Sequence, residues 1–118
     1  MKCEERDIKV KIYPSFRREV KVLAKRYHSI LDDMDELVVS LKENPYQGVD
    51  LGNGLRKVRL AITSKGKGKS GGARVITHTV IFDESEGEIG LLSIYDKSEK
   101  STVKGKELIE LMRRNGLI

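Results

Sequence analysis

The stretch Ile8-Lys9-Val10-Lys11-Ile12 alternates apolar and basic residues, the period-two pattern of a half-exposed strand. Pro14 then suits the first turn of a helix. Phe16, Val20, Leu23 and Tyr27 recur at helical spacing, which predicts a helix to about Tyr27. Its other face carries Arg17, Arg18, Lys21, Lys25 and Arg26. Ser29 reads as an N-cap followed by Asp32 and Asp33 in a first turn. Ile30, Met34, Leu37, Val38 and Leu41 make the apolar stripe of a second helix, which Asn44-Pro45 stops. Two helices joined this closely form a hairpin.

Residues 46–54, YQGVDLGNG, are rich in turn formers. A strand is expected from Leu55 to about Thr63, with Val58, Leu60 and Ile62 on one side and Lys57, Arg59 and Ala61 on the other. Further strands are expected from Ala73 through Phe82, a run rich in β-branched residues, and from Ile89 to Tyr95. Ser101 or Thr102 is placed to cap a last helix with Leu108, Leu111 and Met112 on one stripe. The predicted order is β-α-α-β-β-β-α: an α+β fold in which an antiparallel meander is covered on one face by the helical hairpin.

At 118 residues the chain is read as a single domain over 1–118. Aromatics make up 5% and tryptophan is absent, so the core must be aliphatic. Cys3 is the only cysteine, which leaves no disulfide framework and no cysteine metal motif. No apolar run approaches the roughly 20 residues of a membrane span, and MKCEERDIK has no signal-peptide core. The expectation is a soluble cytoplasmic protein without a cofactor.

Charge changes the picture through its location. The formal net charge is +5, and no acidic residue lies between Asp50 and Asp83. That gap holds seven basic ones: Arg56, Lys57, Arg59, Lys65, Lys67, Lys69 and Arg74. The other 16 basic residues are outnumbered by 18 acidic ones. Ordinary surfaces intersperse both signs, so a block of one sign reads as the footprint of a polyanion. Within it, Gly68-Lys69-Ser70 looks like the tail of a nucleotide-binding P-loop. Position 63, where that motif needs glycine, is Thr63, and the run after Ser70 reads as a strand where the motif would open a helix.

If the three strands pair in order, Lys57, Arg59, Arg74, Tyr95 and Lys97 converge near one end of the sheet, with the glycine-rich loop beside them. Lysine and arginine neutralise phosphates, arginine can clamp one with two parallel bonds, and a tyrosine ring can stack on a base. The same groups suit RNA cleavage. RNA carries its own nucleophile, the 2′-OH; an enzyme removes its proton, stabilises the phosphorane and protonates the leaving oxygen. Like charge nearby favours a neutral amine, which makes Lys57 the candidate base. Arg56, Lys65, Lys67 and Lys69 are the candidate RNA-backbone contacts. Duller readings stand beside these: Tyr95 as a cap on the core, Lys97 as a surface ion pair with Asp96 or Glu99, His78 as a structural histidine inside its strand, and His28 as a turn residue.

At these residues the chain resembles the RelE/ParE superfamily of bacterial toxins. The resemblance runs from Tyr13 to about Met112. It is carried by FRREVKVLAKRYHSILDDMDEL, NPYQGVDLGNGLRKVRLAI, GKSGGARVI and LLSIYDKSE, in that order and spacing. It implies a small microbial-ribonuclease-like fold. For the RelE-like branch it implies a metal-independent endoribonuclease that cuts mRNA in the ribosomal A site and is neutralised by a cognate antitoxin protein. Lys57 and Arg59 match the paired basic residues of the family, Arg74 matches its phosphate-binding arginine, and Lys97 falls where RelE has a catalytic arginine. The tyrosine that RelE carries further along falls near Val103, so Tyr95 would act from a different place. The ParE branch shares the scaffold but inhibits DNA gyrase, and a non-catalytic RNA-binding module is the third reading.

Overall fold

The computed structural model describes residues 7–66, 68–69, 71–100 and 102–118. Lys67, Ser101 and Cys3 lie outside the described residues. Strand β1 (Asp7–Ile12) leads into helices α1 (Pro14–Arg26) and α2 (Ile30–Glu43); strands β2 (Val49–Gly52) and β3 (Leu55–Leu60) come next, then a single 3-10 turn at Thr63–Lys65, strands β4 (Ala73–Ile81) and β5 (Glu86–Asp96), and helix α3 (Gly105–Arg114). The fold is α+β, and the described residues form five strands in the order β1-β5-β4-β3-β2.

Three features correct the sequence reading. The sheet is mixed: β1 runs parallel to β5, Asp7 opposite Glu86 through Ile12 opposite Leu91, while the other pairs are antiparallel. The segment read as a turn holds a fifth strand, β2, because Asn53-Gly54 is a two-residue hairpin turn with both residues at positive φ, 56° and 80°. The strand expected to reach Thr63 ends at Leu60, two residues short of the 3-10 turn that begins at Thr63.

Burial follows the predicted periodicities. Phe16 and Leu23 of α1 and Ile30, Met34, Leu37 and Leu41 of α2 pack against Val58, Leu60, Ile62, Val75, Ile89, Leu91 and Ile94. The opposite face is covered in part by α3, where Leu111 and Met112 meet Leu55, Ile76, Leu92 and Tyr95. A register shift between Ile76 and Thr77, opposite Ser93 and Leu91, inserts Leu92 as an extra residue in β5. The bulge changes the parity of the strand. It keeps Ile94 on the helical-hairpin face and turns Tyr95 to the face shared with Lys57 and Arg59.

Beyond Ile12 the outer edge of β5 has no strand beside it among the described residues. Helix α1 lies along that edge and satisfies it with side chains. The Ser15 hydroxyl donates to the Leu92 carbonyl at 2.6 Å, and the Glu19 carboxylate accepts from the Ile94 N–H at 3.2 Å and the Ser93 hydroxyl at 2.8 Å. Helix α3 starts later than expected, at Gly105, with the Lys104 N–H donating to the Glu107 carboxylate.

Gly72 sits where β4 begins, against β3, and a Cβ there would overlap the Leu60 carbonyl oxygen and crowd the Ile62 N–H. Both neighbours are backbone, so neither can turn away. Gly72→Ala should lower stability by about 2 kcal/mol, in the range for overpacking, as measured by the midpoint of urea unfolding at an unchanged slope.

Candidate functional site

The hairpin of β3 and β4 pairs Lys57 with Ile76 and Arg59 with Arg74, and the next strand pairs Arg74 with Tyr95. Residues directly opposite one another in antiparallel strands share a face. Arg59, Arg74 and Tyr95 therefore form one row across three strands, with Lys57 two residues along β3. A cavity of about 200 Å³ lies at this end, lined by Lys57, Arg59, Arg74, Lys97 and Val49. Four of the five candidate catalytic residues are brought together in one concavity, with a fifth lining residue from β2 that sequence reasoning missed. Its signal was present: the Asn53-Gly54 turn flanked by Val49 and Leu51 is a hairpin signature.

Tyr95 is adjacent to the cavity in register but does not line it. Its side chain is buried, 9% exposed, among Leu92, Leu111 and Met112. Its hydroxyl is buried without a hydrogen-bond partner among the described residues. The Lys100 ammonium lies over its ring at 5.7 Å. Burial raises the pKa of this phenol, partly offset by the Arg74 and Lys100 charges. The cap-on-the-core reading describes where the ring is.

Arg74 is only 5% exposed. Its Nη1 donates to the Lys69 carbonyl at 3.0 Å and the Ala73 carbonyl at 3.1 Å. This arginine thus holds the C-terminal foot of the glycine-rich loop as well as facing the cavity. Lys97 is exposed and forms no ion pair among the described residues. The acids that sequence proximity would assign to it are taken: Lys65 and Arg26 engage Asp96, and Arg26 engages Glu99 at 2.7 Å.

The candidate backbone contacts divide. Arg56 points away from the cavity: its guanidinium donates to the Tyr46 carbonyl at 2.7 Å, stacks over the Tyr46 ring at 5.6 Å and approaches Asp50 at 4.0 Å. Lys65 is a structural cation, its ammonium 2.7 Å from Asp96 and 5.6 Å from the Tyr27 ring centroid. Lys69 is exposed beside Arg59 on the rim of a second depression between β3 and α2. Lys67 is not among the described residues.

The loop between β3 and β4 is anchored by two carboxylates. Asp33 of α2 accepts from the Thr63 N–H at 2.9 Å and the Thr63 hydroxyl at 2.6 Å, while the Ser29 hydroxyl donates to Asp33 and accepts from the Ser64 N–H at 2.8 Å. Ser29 stands at the N-cap position, but its side chain serves this loop and caps no helical N–H. Asp96, fully buried, accepts from Lys65, the Tyr27 hydroxyl at 2.5 Å, and the Ser98 N–H and hydroxyl. Burial alone would raise its pKa, but these donors together hold the carboxyl well below the usual range. His78 lies half-buried on β4, away from the cavity, and burial lowers its pKa despite the charge of Glu88. His28 is exposed in the turn between α1 and α2.

Among the described residues, no three His, Cys, Asp or Glu side chains converge as a metal site would require, and no helix is long and apolar enough to cross a membrane. No protein-family model matches the chain.

Asp96 has a depressed folded-state pKa, so its contribution to stability is complete above the unfolded carboxyl value of about 4 and is lost as pH falls below it. Asp96→Asn should cost about 3 kcal/mol at neutral pH, because it leaves the Lys65 ammonium without its partner. It should also flatten the acid limb of a thermal-unfolding series between pH 2 and pH 7. An Asn variant that loses stability in acid as steeply as the parent protein would show that another carboxylate controls the limb.

Proposed function

We propose that this chain is the toxin component of a type II toxin–antitoxin system: a RelE-like, ribosome-dependent endoribonuclease that cuts mRNA and stops translation. The observation that carries the reading is the convergence of Lys57, Arg59, Arg74 and Lys97 on one cavity. A cationic concavity of this size accommodates a phosphodiester and repels no part of it. The family resemblance in the sequence supports the same assignment and brings with it the ribosomal A site, a cytoplasmic location and an antitoxin whose acidic segment would occupy the cationic cavity.

The chemistry derives from the groups the cavity offers. Arg59 and Arg74, directly opposite in register, hold the non-bridging oxygens of the scissile phosphate and stabilise the charge that grows on them. Lys57, half-buried on the same face, is placed to take the 2′-OH proton when its amine is in the neutral form. Lys97, on the far side of Arg74, is placed to protonate the leaving oxygen. All the cationic assistance in this scheme comes from side chains, so the activity is proposed as metal-independent. Val49, 59% exposed on the rim, offers an apolar surface to a base.

One observation favours a second reading, an RNA-binding module without catalysis: the Tyr95 hydroxyl is buried and Tyr95 does not line the cavity, so proton transfer would rest on the lysines alone. A gyrase inhibitor of the ParE kind has no such observation behind it.

Arg74 is a poor single probe because its substitution also releases the loop. Lys57→Ala and Lys97→Ala change partly or fully exposed side chains and leave the core alone. Induction in bacteria with primer-extension mapping of mRNA 5′ ends should give cuts inside translated codons. Each variant should reduce the cutting by roughly 10²-fold, the size of a lost general acid or base. Undiminished cutting in both variants would sink the assignment. Growth arrest with intact mRNA and a DNA-damage response would transfer it to gyrase, and tight RNA binding without fragments to the second reading.

A further inference from the structure

Helix α1 carries five cations and one acid, and the acid is not available to them: Glu19 is turned inward to the Ser93 hydroxyl and the Ile94 N–H. At 3.6 residues per turn, Arg17, Arg18, Lys21 and Lys25 fall within roughly 100° of the helix circumference. All four are exposed. None has an ion-pair partner among the described residues, whereas Arg26, outside the wedge, is paired with Glu99. Lys11, exposed at the end of β1, lies over the Tyr13 ring and extends the basic surface around the start of the helix. Two adjoining depressions of about 260 and 300 Å³ follow the same contour and share Pro14 and Arg18.

This surface is separate from the cavity. Strand β1 stands three strand spacings from β3, about 14 Å, and α1 lies along the outer edge of β5, so its outward face looks away from Arg59 and Arg74. Like charges three and four residues apart on one helix face repel, and none of these four cations is paired with an acid among the described residues. A polyanion removes that repulsion.

We propose that this face of α1, with Lys11, is a second RNA-binding surface that grips the phosphate backbone of folded RNA, distinct from the strand held in the cavity. Arg17, Lys21 and Lys25 recur every four residues, about 6 Å along the axis, on the scale of the phosphate repeat of a nucleic-acid strand. An acidic bilayer fits less well, because the apolar stripe of α1 is buried in the core and Val22 is its only large exposed apolar side chain. The surface reads charge and spacing and no base sequence. It deepens the RNA reading above by giving the protein two grips on RNA, and it stands or falls on binding alone.

The test uses the full chain and a labelled RNA hairpin, titrated between 50 and 200 mM salt, about the range in which counterion release is measured. The triple variant Arg17→Gln/Lys21→Gln/Lys25→Gln should bind the hairpin about tenfold more weakly at the low-salt end. Its log–log salt slope should flatten by about 2 to 3, at roughly 0.7–0.9 for each phosphate no longer neutralised. Lys57→Ala should retain most of the slope. The charge-conserving variant Arg17→Lys/Lys21→Arg/Lys25→Arg should restore binding, which separates charge from any effect on folding. An unchanged slope in the Gln triple overturns the proposal. Wild-type protein that ignores the hairpin but binds polyglutamate or phosphatidylserine vesicles also overturns it, in favour of an acidic protein or a membrane. Hairpin binding lost with the triple variant, in a protein that cuts no mRNA, supports this surface while the nuclease reading fails.

Discussion

The pairing of Arg59 against Arg74 is the constraint around which this end of the molecule is arranged. Two guanidiniums directly opposite on neighbouring strands repel, and like-charged cross-strand pairs destabilise a sheet. The register that imposes the pairing is not negotiable, because a one-residue slip would move Val58 and Leu60 out of the core and bring Lys57 and Arg59 into it. Aliphatic burial on one face thus holds cations together on the other. The strain is eased where the backbone supplies dipoles: Arg74 is taken up by the Lys69 and Ala73 carbonyls.

The acids that would neutralise the cluster are spent elsewhere. Asp96 adjoins Lys97 in sequence, yet strand alternation turns it to the other face, where it gathers Lys65, Tyr27 and Ser98. Asp33 is occupied by Thr63 and Ser29, and Glu19 by the edge of β5. Each of these carboxylates is used as a backbone or loop anchor. The consequence is a division of charge: structural anions inside, surplus cations outside. The two cationic surfaces, the cavity and the outer face of α1, have the same origin.

That division explains which features were legible in the sequence. The helices were readable because their stripes are local and strong: Phe16, Leu23, Ile30, Met34, Leu37 and Leu41 all reach the core. So was the convergence of Lys57, Arg59, Arg74 and Lys97, since it needs only strand alternation and consecutive hairpins. The parallel pairing of β1 was not, because it joins residues some 80 positions apart with no local signature. The bulge at Leu92 was equally hidden, and with it the burial of Tyr95. Lys65 looked like a backbone contact because its neighbours are lysines and glycines, but its partner lies 31 residues away on β5. Side-chain partners across the fold decide which cations of a basic block are free, and spacing cannot report them.

The glycine-rich loop shows how the anchors and the cavity meet. Its first foot is pinned through Thr63, Ser64 and Lys65 by two buried carboxylates and a serine, and its second through Gly72, whose carbonyl accepts from the Lys97 N–H at 3.1 Å. That bond ties the backbone of Lys97, a cavity residue, to the start of β4, one residue from Ala73 and two from Arg74. The position of Lys97 over the cavity is therefore set by the same close approach that forbids a side chain at Gly72. Loop anchoring and site geometry are one mechanical unit: a change that loosens Asp96 or fills the space at Gly72 displaces the cations as well as the loop, before any residue that touches the ligand is altered.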